Sequence, residues 1–178
     1  VAGIIAGNGY DSYGARTGVA PHATLVALKA LDREGKGRIS SIIAALDWIL
    51  DVGISQYGIR VANLSLGKGV EQVQSQDPLV QAVEAVWDAG VVVVVSAGNH
   101  GDSGHFTVAS PGNSRKVITV GSLTDRGTGS TFSDDYVSTF SSRGPTLFDH
   151  VLKPDLLAPG NRIISPYADD SNIGSLVG

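Results

Sequence analysis

The 178-residue chain is 42% hydrophobic and only 17% charged, which suits one globular domain with a substantial core and not a disordered chain. Its net charge of -4, its pI near 5.4 and the lack of any Lys/Arg run argue against nucleic acid or an anionic membrane surface as a partner. Zero cysteines exclude disulfides and thiolate zinc sites.

Val1 to Gly7 reads like the interior of an element, with no starting Met and no signal peptide pattern, so the chain is expected to be an excised piece. Leu25 to Leu31 is a candidate strand. Ser40 is placed to cap a helix whose apolar face is Ile39, Ile42, Ile43, Leu46, Ile49 and Leu50, with Gly53 closing it. Val61 to Leu66 reads as a second strand. Asp77-Pro78 supplies a cap and a first-turn proline for a helix with Leu79, Val80, Val83, Val86 and Trp87 inward, ended by Gly90. Val91 to Ser96 follows at once. No purely apolar run is longer than its Val91 to Val95, far too short to span a bilayer, and five consecutive valines predict a strand buried on both faces. Lys116 to Leu123 and Asp155 to Ala158 are further strands, and the Ser/Thr/Gly-rich stretch between Gly127 and Asp155 is mostly loop. Strands alternating with helices predict a mainly parallel sheet covered on both faces.

Ligands of such a sheet sit beyond the carboxyl ends of its strands. Two ends stand out: Leu64-Ser65-Leu66-Gly67, and the valine strand running into Ser96-Ala97-Gly98-Asn99. Small residues let a substrate backbone approach closely, and a primary amide donates a hydrogen bond without carrying charge. That combination suits an oxyanion formed only in a transition state. Gly-Asn is equally a plain turn former, and these residues alone leave both readings open.

The motif order adds context. Gly18-Val19-Ala20-Pro21-His22-Ala23, Asn63-Leu64-Ser65-Leu66-Gly67, Ser96-Ala97-Gly98-Asn99, Ser110-Pro111-Gly112, Val117-Ile118-Thr119-Val120-Gly121, Phe140-Ser141-Ser142-Arg143-Gly144-Pro145 and Lys153-Pro154-Asp155-Leu156-Leu157-Ala158-Pro159-Gly160 occur in one order over nearly the whole chain. In these seven segments the chain resembles the subtilisin-like serine proteases (subtilases). The resemblance implies a three-layer α/β/α fold with a mainly parallel sheet, incomplete because N-terminal strands and C-terminal helices are missing. Residues 1–178 would be the part of a catalytic domain between the histidine and serine motifs. Asn99 would be the side-chain donor of the oxyanion hole. Leu64, Ser65, Leu66 and Gly67 would pair with an extended polypeptide substrate. Ser96, Ala97 and Gly98 would wall the pocket for the residue before the scissile bond, with Ala109 and His100 near its rim or floor. Ser110-Pro111 is a candidate cis peptide. No cofactor is required. Structural calcium would belong to the parent, and no site is assigned, although the loop Asn8 to Tyr13 falls where many subtilases bind it.

By the same resemblance the triad aspartate and histidine precede Val1 and the serine follows Gly178. Asp102-Ser103-Gly104 is better read as a turn, Asp11-Ser12-Tyr13 lacks the motif glycine, and Gly127-Thr128-Gly129-Ser130 lacks the third residue of Gly-Thr-Ser. His22, His100, His105 and His150 read as loop histidines, and Asp134-Asp135 and Asp169-Asp170 as solvated acidic turns. The 178 residues alone are therefore expected to be inactive, with an extracellular parent implied. The family's central strand, between the counterparts of Leu25–Leu31 and Val61–Leu66, is missing, so self-association through unpaired edges is expected. A catalytically dead, subtilase-derived peptide-binding module is the alternative. A nucleotide-binding α/β domain is disfavoured because no Gly-x-Gly-x-x-Gly or phosphate-loop pattern follows a strand.

Overall fold

The structure is a computed structural model describing residues 1–128 and 131–166. It divides into two compact units, Val1–Gly37 with the stretch from Ile163, and Arg38–Arg162.

In the first unit, α1 (Ala2–Ala6) is tied to the segment after Gly18, where Val19 N donates to Ile4 O and Ala20 N to Ile5 O, at 3.0 and 2.7 Å. Gly18 is needed there: a Cβ would lie 2.5 to 2.7 Å from backbone atoms of Ile5, Ala6 and Gly7. Leu25 to Leu31 does not become a strand. It has no ladder partner among the described residues, and Leu25 and Val26 stay exposed. An apolar run without a neighbouring strand cannot satisfy its backbone groups in a sheet.

The second unit opens with α2 (Ile39–Trp48), widens into a π-helical stretch at Ile49–Gly53 and continues as α3 (Ile54–Tyr57). Two expectations fail here. The N-cap is Arg38 and not Ser40, with no side-chain cap bond, and Gly53 stays right-handed (φ -59°, ψ -46°) and does not close the helix. Gly53 serves close packing, since a Cβ there would lie 2.8 Å from Ile59 Cδ1. The left-handed stop falls at Gly58 (φ 63°, ψ 34°). The continuous 19-residue stretch Ile39–Tyr57 has mean hydropathy 1.3, apolar and long enough by composition to cross a membrane. In this fold its Ile42, Leu46 and Ile49 are buried, and α2 packs on α4 (Pro78–Asp88).

The start of α4 forms as expected: Asp77 is its N-cap, Asp77 Oδ1 accepts from Leu79 N at 2.9 Å, and Pro78 opens the first turn. Leu79, Val80, Val83 and Val86 are at most 1% exposed, Trp87 is half-buried, and Gly90 follows the helix with φ 89°.

The sheet runs β1 (Val61–Leu64), β2 (Val92–Ser96), β3 (Ile118–Thr124), with β1, β2 and β3 parallel. β5 (Leu156–Pro159) extends it in parallel beside β3, and the short β4 (Tyr136–Val137) pairs antiparallel at the end of β3. The register sets Leu64 opposite Val95 and Ser96 opposite Val120, so β1 and β2 end at one edge. The valine strand departs from its predicted double burial. Val91, Val93 and Val95 are 0 to 2% exposed, whereas Val92 is 40% exposed and its neighbour Val61 60%. Helix α4 covers the first face. Within Arg38–Arg162, Val61 and Val92 stay open on their other face, so the alternation survives there as a one-sided strand.

Two lysines tie the sheet's far side together. Lys153, its side chain 2% exposed, donates from Nζ to Val117 O (2.8 Å) and to Asp155 Oδ2 (2.6 Å), which also accepts from Thr119 N. That joins β5 to β3. Lys116 bridges to Asp88 at 2.7 Å, and this hydrogen bond raises its pKa above the ordinary lysine value.

Candidate functional site

The carboxyl ends of β1 and β2 carry the predicted site residues. Among the described residues no backbone hydrogen bond involves Ser65, Leu66 or Gly67, so this short run beyond β1 offers unpaired donors and acceptors. Leu64 is buried at the base of the run, Ser65 and Gly67 are exposed, and Leu66 is half-buried. Ser65 Oγ accepts from Asn63 Nδ2 at 3.0 Å. Immediately after it, Lys68 and Ser110 exchange two backbone bonds, Lys68 N to Ser110 O at 2.9 Å and Ser110 N to Lys68 O at 3.0 Å.

Beyond β2 the chain is anchored at nearly every step. Ala97 N donates to Val120 O, and Ala97 O accepts from Ala109 N at 2.9 Å. Gly98 has φ 103°, and a Cβ on it would lie 2.9 Å from Ser142 Oγ and 3.1 Å from the Ala109 methyl. A Cβ on Gly67 would meet that same methyl at 3.1 Å. Ala109 therefore sits between Gly67 and Gly98, and the structure brings Leu64–Gly67, Ser96–Gly98 and Ala109 together around one small-residue floor. The Ser110–Pro111 peptide that follows is cis.

Asn99 is exposed, and its side-chain amide has no hydrogen-bond partner among the described residues. Its backbone is held from both sides by one residue: Ser142 N donates to Gly98 O at 3.1 Å, and His100 N donates to Ser142 Oγ at 3.1 Å. Two residues on, Gly101 is buried and donates to Phe140 O, and a Cβ there would run into the carbonyl of Ser141. A backbone fixed on both sides and an uncommitted amide between are what a preorganised donor needs. Residue-by-residue reading of the site did not single out Ser142; its signal was the Phe140–Pro145 motif, whose place beside Asn99 only tertiary structure reveals.

Several other candidates make local contacts of their own. Asp102-Ser103 lies in a 3-10 turn ended by Gly104 (φ 94°), a turn as expected. His105 Nδ1 lies 2.7 Å from Gly144 O, and His150 makes an edge contact with Phe106. Asp134 accepts from Thr128 Oγ1. Among the described residues no three His, Cys, Asp or Glu side chains gather to hold a metal ion. Gly129, Ser130, Asp169 and Asp170 lie outside the described residues.

Comparison with known proteins follows the same lines. The Subtilase family (Peptidase S8) matches residues 1–176. Serine protease AprX of Bacillus subtilis (strain 168) is 44% identical over 98% of this chain, which covers 40% of that protein. The Extracellular serine proteinase of Thermus sp. (strain Rt41A) is 37% identical over 96% of the chain and 34% of its own length. Among solved structures, Sphericase superposes with a TM-score of 0.74 at 29% identity, over 93% of this chain and 52% of Sphericase. The chain thus spans about half or less of the length of these relatives.

Proposed function

The chain belongs to the subtilase family and has the mainly parallel α/β fold of the subtilisin type, and from that premise we propose that residues 1–178 are the substrate-binding and oxyanion-stabilising part of a subtilisin-type serine endopeptidase. The parent would cleave peptide bonds through an acyl-enzyme intermediate. Asn99 would donate to the oxyanion, the run Leu64–Gly67 would take the substrate as an added strand, and Ser96–Gly98 with Ala109 would bound the pocket. Nucleophile, base and orienting aspartate would come from outside these residues, and the parent would work outside the cell, as the name of the Thermus relative says of that protein. The observation that carries this reading is the packing of Gly67 and Gly98 against one methyl, Ala109, beside an amide without a partner among the described residues.

Two preparations test it. The 178-residue chain alone should show no peptidase turnover. A chimera in which it replaces the matching 40% of AprX should hydrolyse peptides and be silenced by a serine-directed inhibitor. Inhibitor-sensitive turnover by the chain alone would refute its division of labour. A folded chimera that binds peptides without cleaving them would favour a binding module.

The outer edge of β1 and the exposed Val61 and Val92 support self-association of the isolated chain. Size-exclusion chromatography of the chain should then show dimers or larger species that grow with concentration. A monomer at every concentration rejects it.

A further inference from the structure

Lys68 stands directly after the run read above as the substrate edge, and its surroundings exceed what a surface lysine in a glycine-flanked turn requires. Its side chain is 22% exposed. Three oxygens face the ammonium: Asp77 Oδ2 at 3.4 Å, Glu71 Oε2 at 3.6 Å and Gly69 O at 3.5 Å. Asp77 is the informative one. It is fully buried, its Oδ1 is used by Leu79 N, and its Oδ2 has no hydrogen-bond partner among the described residues. A buried carboxylate oxygen of that kind is tolerable only with a cation beside it, and Lys68 is the cation nearest to hand. A helix cap alone needs one carboxylate oxygen, and a serine would supply it.

The backbone of Lys68 is paired with Ser110 on the other side, through two bonds of 2.9 and 3.0 Å. One residue therefore links three parts of the site: the end of the Leu64–Gly67 run, the Ala109–Ser110 floor, and the first turn of α4. We propose that Lys68 and Asp77 form a latch that positions the substrate edge, with the α4 N-terminus as its fixed post. Lys68 is a positioning residue and touches no reacting atom. With the ammonium engaged by Asp77, Gly67 is held against Ala109, and the unpaired groups of Ser65 to Gly67 keep one spacing from the Ser96–Gly98 wall. The helix N-terminus favours the negative charge on Asp77 and so supports the same arrangement. The effect on substrate rests on the reading of Leu64–Gly67 given above; the latch itself does not.

Native-state hydrogen exchange on the full 178-residue chain tests the latch directly. Lys68→Met keeps most of the apolar stem and removes the charge. It should accelerate exchange at the Lys68 and Ser110 amides about tenfold or more, while the valines of β2 keep their protection. Asp77→Asn retains an Oδ1 for Leu79 N and serves if Lys68→Met fails to fold. It should release the same two amides, and the double variant should release them no further than either single one. Lys68→Arg should restore protection. Unchanged exchange at Lys68 and Ser110 in folded Asp77→Asn would overturn the proposal. In parallel, affinity for an acetylated, amidated extended pentapeptide should fall about fivefold or more in Lys68→Met and recover in Lys68→Arg, with little change in global melting. If the wild-type chain binds no such peptide, the substrate-edge reading fails, and the exchange measurement still decides the latch.

Discussion

Asn99→Ala in the AprX chimera should lower kcat by about 100- to 1000-fold, the loss established for the corresponding asparagine of subtilisin and carried over here by resemblance. KM should change little. The amide has no partner among the described residues, so its removal breaks no described ground-state contact. Its hydrogen bond would be made only when the carbonyl oxygen becomes an oxyanion, and an interaction confined to the transition state appears in kcat. Thermal stability should stay within about 0.5 kcal/mol, because the site is exposed and the fold at this point is held by backbone bonds to Ser142. Asn99→Asp is the sharper companion, since a carboxylate of similar shape replaces a donor with an acceptor and adds charge where negative charge must develop. A variant retaining near wild-type kcat would remove Asn99 from the chemistry. A loss seen mainly in KM would make it a ground-state contact.

The elements that could be read from the chain were those whose cause is local. Asp77-Pro78 starts α4 because a carboxylate oxygen and a fixed proline φ act within one turn. Gly90 ends that helix by adopting φ 89°. The misreadings fall where distant residues decide. Gly53 has the composition of a stop, but the space it leaves is taken by Ile59, and the helix runs on to Gly58. Leu25 to Leu31 has strand composition and no ladder partner among the described residues. The five valines are chemically equivalent, yet Val92 and Val93 differ by 40 percentage points of exposure, because α4 lies over one face only. The site divides the same way. Glycines and an asparagine at a strand end were visible as types. That Ala109, ten residues beyond Asn99, fills the gap between Gly67 and Gly98 depends on the return of the chain through Thr107 to Ser110, which no local pattern states.

That one-sided sheet yields the second large effect. Leu79→Ala should destabilise the chain by about 2 to 5 kcal/mol, through lost burial and the cavity left behind. Leu79 is 1% exposed in the first turn of α4, buried with Val80, Val83 and Val86 in a helix that packs on both α2 and β2. The cavity cannot close cheaply. Asp77 and Pro78 fix the helix start on one side, and the Lys116–Asp88 bridge ties its far end to the segment leading into β3. At roughly 2 to 4 °C per kcal/mol for a chain of this size, the melting temperature should drop by about 4 to 20 °C. Val61→Ala, measured on the monomer at concentrations below self-association, is the matched control, a deletion at a residue 60% exposed, and should cost less than about 1 kcal/mol. Denaturant unfolding of both variants separates the cases. Equal losses under that condition would mean that Val61 is packed within the folded monomer. A loss below about 1 kcal/mol for Leu79→Ala would mean that α4 does not carry the core assigned to it.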